Sequence, residues 1–207
     1  MAYLGTQPND VVDNKGLYTP NQIRELVKDG NWSGSLEFIL ETTASSSTID
    51  IVDKFSDYKT HFIQLINLVP TTQTEFGIKF SNDSGSSYES SSYAFTNYRV
   101  YANNSSGERK SNSQSSIRLG GDVLTNSEFN CNFYVYNANV SSQYTFISTQ
   151  CTFLQGTIYA QEFGGGSYGQ AEIVNGIRIG EGTGTTAFTS GTARLFGVKE
   201  LWVVVID

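Results

Sequence analysis

The sequence is poor in the residues that catalysis and metal binding ordinarily use. Its 207 residues include one histidine and two cysteines, and charged residues make up 16% of the chain, against roughly 25% in an average globular domain. His61, Cys131 and Cys151 match no metal-ligand spacing. Gly165–Gly169 reads G-x-S-x-G, but no helix pattern follows it, and the chain lacks the strand–helix alternation that forms the nucleophile elbow of a hydrolase. We therefore expect no enzymatic activity, no catalytic residue, no metal and no cofactor.

Charge and hydropathy argue against two classes of partner. The formal net charge is −7, and an acidic chain with scattered Lys and Arg repels a phosphate backbone, so we expect no nucleic-acid binding. No run of 18 apolar residues is present, so we expect no membrane insertion. Met1–Gly5 lacks the basic start and apolar core of a signal peptide. Since the Ser-, Thr- and Asn-rich composition suits an exposed protein, release within a virion is one route that fits.

Short alternations of apolar and polar residues predict strands from Ser35 to Asp207. Phe76, Ile78 and Phe80 alternate with polar residues and Gly, which is typical of a strand with one buried side. His61–Val69 is apolar on both sides, with Phe62, Ile66 and Leu68 on one and Ile63, Leu65 and Val69 on the other; this predicts a central strand or a subunit interface. Other strands are predicted at Tyr93–Tyr101, Ser115–Leu119, Glu128–Tyr136, Tyr144–Leu154, Gly156–Phe163, Glu172–Ile179, Thr192–Val198 and Leu201–Ile206. Because βαβ units are absent, the pattern predicts an all-β, antiparallel β-sandwich or barrel.

Residues 1–34 differ from the strand-rich remainder, residues 35–207, and are predicted to form an arm and one short helix. Thr19, Pro20 and Gln22 make a capping box with proline at the first helical position, and Gly30 can end the helix. The segment is either a tail that covers one end of the sandwich or an arm that docks onto a neighbouring subunit or larger assembly. The candidate docking residues are Tyr3, Leu4, Leu17, Tyr18, Ile23, Leu26 and Val27.

Strand alternation places the histidine and the cysteines on core-facing sides. His61 is in phase with Ile63 and Leu65, so a packed or interfacial imidazole is expected. Cys131 and Cys151 are in phase with apolar neighbours and are predicted to be buried free thiols. A disulfide between them is the alternative, which requires their Cα atoms to lie within about 7 Å.

Three polar or glycine-rich stretches are predicted to be loops or turns. Asn103–Ser116 is expected to be mobile, and the glycines of Gly164–Gly169 and Gly180–Gly184 are expected to supply turns with positive φ. Ser81–Tyr88 fits S-x-D-x-G-x-S-aromatic, which is similar to the Asp-box hairpin turn of β proteins. In that turn the Asp carboxylate accepts hydrogen bonds from backbone N–H groups, so we expect the motif to have a structural role.

Two sets of polar side chains are candidates for binding or chemistry. Glu37 and Glu41 alternate with Leu36, Phe38 and Leu40, which predicts two solvated carboxylates on one exposed face. Aromatic and amide side chains together can stack on sugar rings or form a protein interface, and both alternatives stay open. The predicted exposed binding face consists of Tyr134, Tyr136, Asn130 and Asn132.

Several segments resemble structural proteins of marine tailed bacteriophages. The segments are Tyr3–Asp10, Asn14–Pro20, Gly30–Glu37, Phe80–Tyr88 and Gly191–Lys199. The resemblance implies a jelly-roll-like β-sandwich, often trimeric, that is located in the virion and contacts other virion proteins. It implies capsid decoration or a tail accessory role, with docking through the N-terminal arm. The alternative is a receptor- or carbohydrate-binding module of a phage tail that binds a host-surface glycan.

Overall fold

Twelve strands make up most of the described chain. The structure is a computed structural model that describes residues 19–21, 24, 36–44, 46–181 and 187–199. The strands are β1 (Leu36–Thr43), β2 (Thr48–Val52), β3 (Thr60–Pro70), β4 (Thr74–Ser81), β5 (Tyr93–Tyr101), β6 (Ser106–Gln114), β7 (Ile117–Val123), β8 (Phe129–Tyr136), β9 (Tyr144–Gln155), β10 (Ile158–Ala171), β11 (Gly176–Glu181) and β12 (Phe188–Val198).

The strands form two packed sheets of unequal size. The large sheet has eight strands in the order β1-β12-β3-β8-β9-β10-β5-β6, and the small sheet has four in the order β2-β11-β4-β7. Neighbouring strands are antiparallel throughout. The predicted all-β antiparallel sandwich is therefore confirmed.

The connectivity is that of a jelly roll with two inserted hairpins. Without β5–β6 and β9–β10, the remaining eight strands form two four-stranded sheets, β1-β12-β3-β8 and β2-β11-β4-β7, between which the chain repeatedly crosses. The hairpins add β9, β10, β5 and β6 to the β8 side of the large sheet. We call β1, β12, β3 and β8 the jelly-roll half of the large sheet, and β9, β10, β5 and β6 its insertion half.

The core between the sheets is apolar beneath the jelly-roll half, and it continues beneath the insertion half, where the Phe80 ring packs against Tyr168 of β10 at a centroid distance of 5.8 Å. Phe76, Ile78 and Phe80 of β4 are buried, as their alternation predicts. The Phe76 ring packs against Phe129 of β8 at a centroid distance of 4.4 Å. Removing such side chains from water at about 25 cal/mol per Å² is the main force holding the two sheets together.

Beneath the insertion half, charged groups also join the two sheets. Arg99 of β5 is 3% exposed, and its Nε donates to Glu162 of β10 at 2.7 Å. Its Nη1 donates to Asp122 of β7 at 3.1 Å. Glu75 of β4 pairs with Arg109 and Arg118. This network gives the buried charges the partners that burial in a low-dielectric interior demands.

Two predicted loops are strands instead. Most of Asn103–Ser116 is β6, which pairs with β5; a polar sequence suits an edge strand because its side chains stay in water. Gly164–Gly169 lies inside β10 rather than in a turn, and none of its glycines has positive φ. A Cβ at Gly164, Gly165 or Gly166 would overlap a carbonyl oxygen of a neighbouring strand, so these glycines permit close strand approach.

Irregularities in β1 and β3 overturn two alternation predictions. A register shift between Phe38 and Leu40 separates the two carboxylates of β1. Glu41 pairs with Arg194 on one side, whereas Glu37 pairs with Lys199, so the prediction of one shared face is wrong. In β3, Asn67 has φ 50°, and the alternation restarts after it. Leu68 is therefore buried with Ile63 and Leu65, not placed with Phe62.

Some predictions fall outside the described residues. These include the strand Leu201–Ile206, most of Gly180–Gly184, and the docking residues Tyr3, Leu4, Leu17, Tyr18, Ile23, Leu26 and Val27. Of the predicted helix, Pro20, Asn21 and Arg24 are described as helical and Thr19 precedes them, which matches the predicted start.

Candidate interaction surface

The large sheet carries an unusual concentration of exposed apolar side chains on its outer face, the side turned away from the small sheet. Ten large apolar side chains are exposed among the described residues, and nine lie on this face. They are Leu36, Phe38, Tyr98, Tyr134, Tyr144, Phe146, Leu154, Tyr159 and Phe163. The tenth, Ile173, lies between β10 and β11. A contiguous apolar surface of this kind marks an interaction site more often than ordinary solvent exposure.

The same face lacks charge across its five central strands. The outward positions of β3, β8, β9, β10 and β5 hold aromatic, aliphatic, amide, hydroxyl and glycine residues, whereas the charged residues of these fully described strands, Arg99 and Glu162, point inward. By contrast, the small sheet carries the Asp50–Arg178 ion pair on its own exposed side (2.6 Å). Depletion of charge together with aromatic enrichment is the compositional signature of a protein interface core.

One row of side chains crosses all eight strands of the outer face. Successive register partners in this row are Phe38, Phe196, Phe62, Tyr134, Ser148, Gly165, Thr96 and Lys110. The first four belong to the jelly-roll half and are all aromatic. The next three belong to the insertion half and are all small.

The four aromatic residues form a continuous ridge. Phe38 and Phe196 have ring centroids 5.7 Å apart, Phe196 and Phe62 5.9 Å, and Phe62 and Tyr134 5.0 Å. These separations are within the favourable range for aromatic pairs. We call Phe38, Phe196, Phe62 and Tyr134 the aromatic ridge.

The small residues form a trough beside the ridge. Its volume is about 740 Å³, its floor includes Gly165 and Thr96, and its sides include Phe146 and Lys110. Gly165 faces outward because the alternating neighbours Glu162 and Tyr168 face inward and are buried. We call Ser148, Gly165 and Thr96, with this depression, the glycine trough.

The four residues of the predicted binding face lie on the outer face, but they differ in availability. Tyr134 is 38% exposed and its ring lies 6.1 Å from that of Tyr136, nearly parallel to it. Asn132 is exposed beside them. Asn130 Oδ1 accepts the Asn67 N–H at 2.9 Å and so holds the irregular part of β3. Tyr136 is half-buried, and its hydroxyl is hydrogen-bonded to Ser148 Oγ (3.0 Å).

A smaller polar depression lies next to this group. It has a volume of about 430 Å³ and is lined by amide side chains, including Gln64, Asn132 and Gln150. Amide groups can donate and accept hydrogen bonds at once. Arg194 also lines the depression, and its guanidinium is paired with Glu41 (2.6 Å). The amide groups therefore suit a ligand rich in hydroxyl groups.

Sequence reasoning missed most of the interaction surface. In the sequence, Phe62 and Phe196 are only apolar residues that alternate with core-facing residues of the same strand. That pattern alone does not separate a second core from an exposed ridge. The row becomes apparent once the register places β12 between β1 and β3.

His61 lies in the core, as its phase predicts. It is fully buried, its ring centroid is 4.9 Å from that of Phe55, and neither ring nitrogen has a hydrogen-bond partner. Burial lowers the pKa of His61 from 6.5 to about 4, because the charged form loses its hydration. No hydroxyl or carboxylate is hydrogen-bonded to the imidazole, so the structure gives His61 no triad geometry.

Cys131 and Cys151 form a disulfide, so the prediction of free thiols is wrong. They are register partners on β8 and β9, with Cα atoms 4.0 Å apart, and both are buried. The alternation placed each cysteine correctly on the inward side. What it lacked was the strand register, which sets the two thiols directly opposite each other.

The predicted Asp-box turn is confirmed in its local chemistry. The Ser87 N–H donates to Asp83 Oδ1 at 2.9 Å, the Ser87 hydroxyl donates to Oδ2 at 2.6 Å, and Gly85 has φ 81°. Hydrogen bonds from the Ser87 side chain and backbone lower the pKa of Asp83 to about 2. Both carboxylate oxygens are thus used within the turn.

Metal sites, membrane spans and known relatives give no further indication of function. No group of three or more His, Cys, Asp or Glu side chains in the described ranges is placed to hold a metal ion. In the same part of the chain, no helix has the length and apolarity needed to cross a membrane. No protein-family model matches the sequence, and no curated protein or solved structure is significantly similar to it. The resemblance to phage particle proteins therefore stays a prediction from the quoted segments.

Proposed function

We propose that this chain is a non-enzymatic structural protein of a virus particle that packs against other protein subunits through the outer face of its large sheet. The observation that carries the proposal is the aromatic outer face, which lacks charge across its five central strands and holds nine of the ten exposed large apolar side chains in the described residues. Leaving these side chains in water is unfavourable by about 25 cal/mol per Å². Contact with a partner removes that cost.

The virion part of the proposal is supported by the sequence resemblance. It makes the protein a capsid decoration or a tail accessory protein, with the segment 1–34 as a docking arm. The charged exposed side of the small sheet, with its Asp50–Arg178 pair, suits contact with water. In this arrangement the large sheet faces the particle or a neighbouring subunit.

A pair of charge substitutions tests whether the outer face is the contact surface. Phe163→Glu places a carboxylate on the outer face, whereas Ile173→Glu does so at a similarly exposed apolar residue elsewhere (44% and 50% exposed). Burying an unpaired charge is strongly unfavourable, so only Phe163→Glu should reduce incorporation into purified particles, measured by quantitative mass spectrometry. Equal incorporation of both variants would contradict the proposed contact surface.

Two further measurements test the virion assignment and the arm. The wild-type chain should be present in purified particles at a fixed ratio to the major capsid or tail protein, and its absence would overturn the assignment.

Deletion of residues 1–30 should lower incorporation while leaving the β-sandwich folded, as judged by circular dichroism. Unchanged incorporation would remove the docking role from the arm.

A carbohydrate-binding module is the second candidate function. The amide-lined depression at Gln64, Asn132 and Gln150, beside the paired rings of Tyr134 and Tyr136, favours it. Such rings can stack on a sugar while the amides bind its hydroxyl groups. A glycan array with wild-type protein and Asn132→Ala tests the idea. Binding that Asn132→Ala abolishes would support it, and flat binding across the array would exclude it.

A further inference from the structure

We propose that the outer face is self-complementary, and that two copies of the chain pack face to face with the aromatic ridge of each copy seated in the glycine trough of the other. This inference rests on the proposed function, because it names the partner of the same surface. The geometry points to a two-fold axis that runs parallel to the strands and lies between β8 and β9.

The position of the axis follows from the division of the row. Four strands lie on each side of the β8–β9 boundary, with the aromatic residues on one side and the small residues on the other. A two-fold rotation about this line turns the face over and exchanges its two sides. Tyr134, Phe62 and Phe196 then lie opposite small residues, and the same patch of each copy makes the contact, as in the isologous interfaces of closed dimers. At the edge of the contact, Phe38 lies opposite Lys110.

The opposed pairs can be named from the strand order. Tyr134 lies opposite Ser148, since β8 exchanges with β9. Phe62 on β3 lies opposite Gly165 on β10, and Phe196 on β12 lies opposite Thr96 on β5. A phenylalanine ring thus lies opposite a residue that has no side chain. Such interdigitation gives interfaces their packing density.

Other symmetric arrangements fit the row less well. A two-fold axis perpendicular to the strands, within the plane of the contact, would place ridge on ridge and trough on trough. A three-fold ring, which the phage resemblance implies, would require each outer face to meet a different surface of the next copy. Only the strand-parallel two-fold axis uses both the ridge and the trough.

The charge and size of the face fit a second copy. The centre of the face carries no charge, so two copies meet without placing like charges together in the contact core. Eight strands at about 4.8 Å and about seven residues at about 3.3 Å give roughly 900 Å² per copy. A standard stable interface buries about 800 Å² per partner, so the face alone is large enough.

A residue swap across the two-fold axis tests the arrangement. Thr96→Phe alone fills the trough and should clash with Phe196 of the partner subunit, whereas Phe196→Thr alone leaves a void. Each single variant should weaken dimerisation by at least about 30-fold, as for an interface hot spot. The double variant restores one large and one small residue at each contact and should recover dimerisation to within about threefold of wild type.

Analytical ultracentrifugation measures the dimerisation of wild type and each variant. Ile173→Glu is the control variant and should dimerise as wild type does. Circular dichroism and thermal melting confirm that each variant is folded. Wild-type protein should be dimeric at about 50 μM, above the micromolar affinity of even weak interfaces of this size. A monomeric or trimeric wild type would overturn the proposal, even if Phe163→Glu still reduced incorporation into particles.

The double variant separates this proposal from the broader function. If wild type is dimeric and the folded double variant stays as weak as the single variants, the two-fold pairing of Phe196 with Thr96 is wrong. Loss of dimerisation in Phe163→Glu would then still place the contact on the outer face. If Phe163→Glu also dimerises normally, the dimer contact is not on the outer face and this proposal fails, whereas the proposed function fails only if Phe163→Glu is also incorporated into particles normally.

Discussion

At the scale of single residues, the buried imidazole of His61 makes stability depend on pH. Its pKa is lowered to about 4 because burial removes water from the charged form. The His61 imidazole therefore becomes protonated near pH 6.5 in the unfolded chain, but only near pH 4 in the folded chain. The contribution of His61 to stability is complete above that window and is lost as the pH falls through it.

We expect a His61→Leu variant to remove this pH dependence. The free energy of unfolding of wild type should fall by about 2–3 kcal/mol more than that of the variant between pH 7.5 and pH 4.5. Urea denaturation at the two pH values measures the difference, and subtracting the variant cancels the carboxylates common to both proteins. If the free energy of unfolding changed equally with pH in both proteins, His61 would be hydrated in the folded state.

The sequence predicts the environment of single residues well where regular alternation holds. His61, Cys131 and Cys151 were all placed on inward sides by their phase with apolar neighbours. The disulfide was not predicted because pairing depends on the register between β8 and β9. Leu68 and Glu37 were misplaced because a left-handed residue at Asn67 and a register shift at Ile39 break the period of two. Such breaks arise from pairing between strands, which a single strand does not encode.

At the scale of elements, the glycines of β10 set how closely three strands approach. Gly165 lies between Ser148 of β9 and Thr96 of β5. A Cβ there would overlap the carbonyl oxygen of Ile147, and backbone has no rotamer with which to move aside. This element explains why a glycine-rich sequence, which favours turns in isolation, is extended here.

Gly165→Ala should therefore destabilise the fold, with Gly107→Ala as the matched control. At Gly107, which also lies in a strand of the insertion half, an added Cβ meets nothing within 4 Å. We expect a loss of about 2 kcal/mol or more in the free energy of unfolding for Gly165→Ala, since forced overpacking typically costs about 1–3 kcal/mol. Gly107→Ala should change it by less than about 0.5 kcal/mol. Similar denaturation midpoints for both variants would contradict the close-approach argument.

Strands with a strong apolar period were predictable, whereas those defined by their neighbours were not. Phe76, Ile78 and Phe80 mark β4 in the sequence alone. The polar strand β6 carries no apolar period, and it becomes a strand because β5 offers it a complete hydrogen-bonding edge. The charged side chain of Arg109, which reaches Glu75, holds β6 over the small sheet.

At the scale of the whole molecule, association through the outer face should depend little on the concentration of NaCl. The centre of the outer face lacks charge, so association through it should change by less than about threefold between about 0.05 M and 0.5 M NaCl, although this shortens electrostatic screening lengths severalfold. Sulfate should strengthen association because it favours burial of apolar surface. Sedimentation equilibrium across the salt series measures both effects. Weakening of more than about tenfold in NaCl would indicate a charged contact elsewhere.

The fold class followed from the sequence, but the division of the large sheet did not. Repeated short strands without βαβ units predicted an antiparallel sandwich, and that is the observed fold. The two hairpins look like any other strands in the sequence, because nothing local distinguishes an inserted strand from a jelly-roll strand. The candidate surface depends on that division, so only its Tyr134 region could be predicted.

The place of β12 in the large sheet has a consequence for how the molecule is made. β12 lies between β1 and β3 and pairs with both, so these two early strands are not joined into one sheet until the last described strand is added. A chain emerging from a ribosome can form the local β5–β6 and β9–β10 hairpins at once, but it cannot close the jelly-roll half. Folding should thus end with a slow, long-range step. Until that step, both edges of the gap remain open to pairing with other nascent chains.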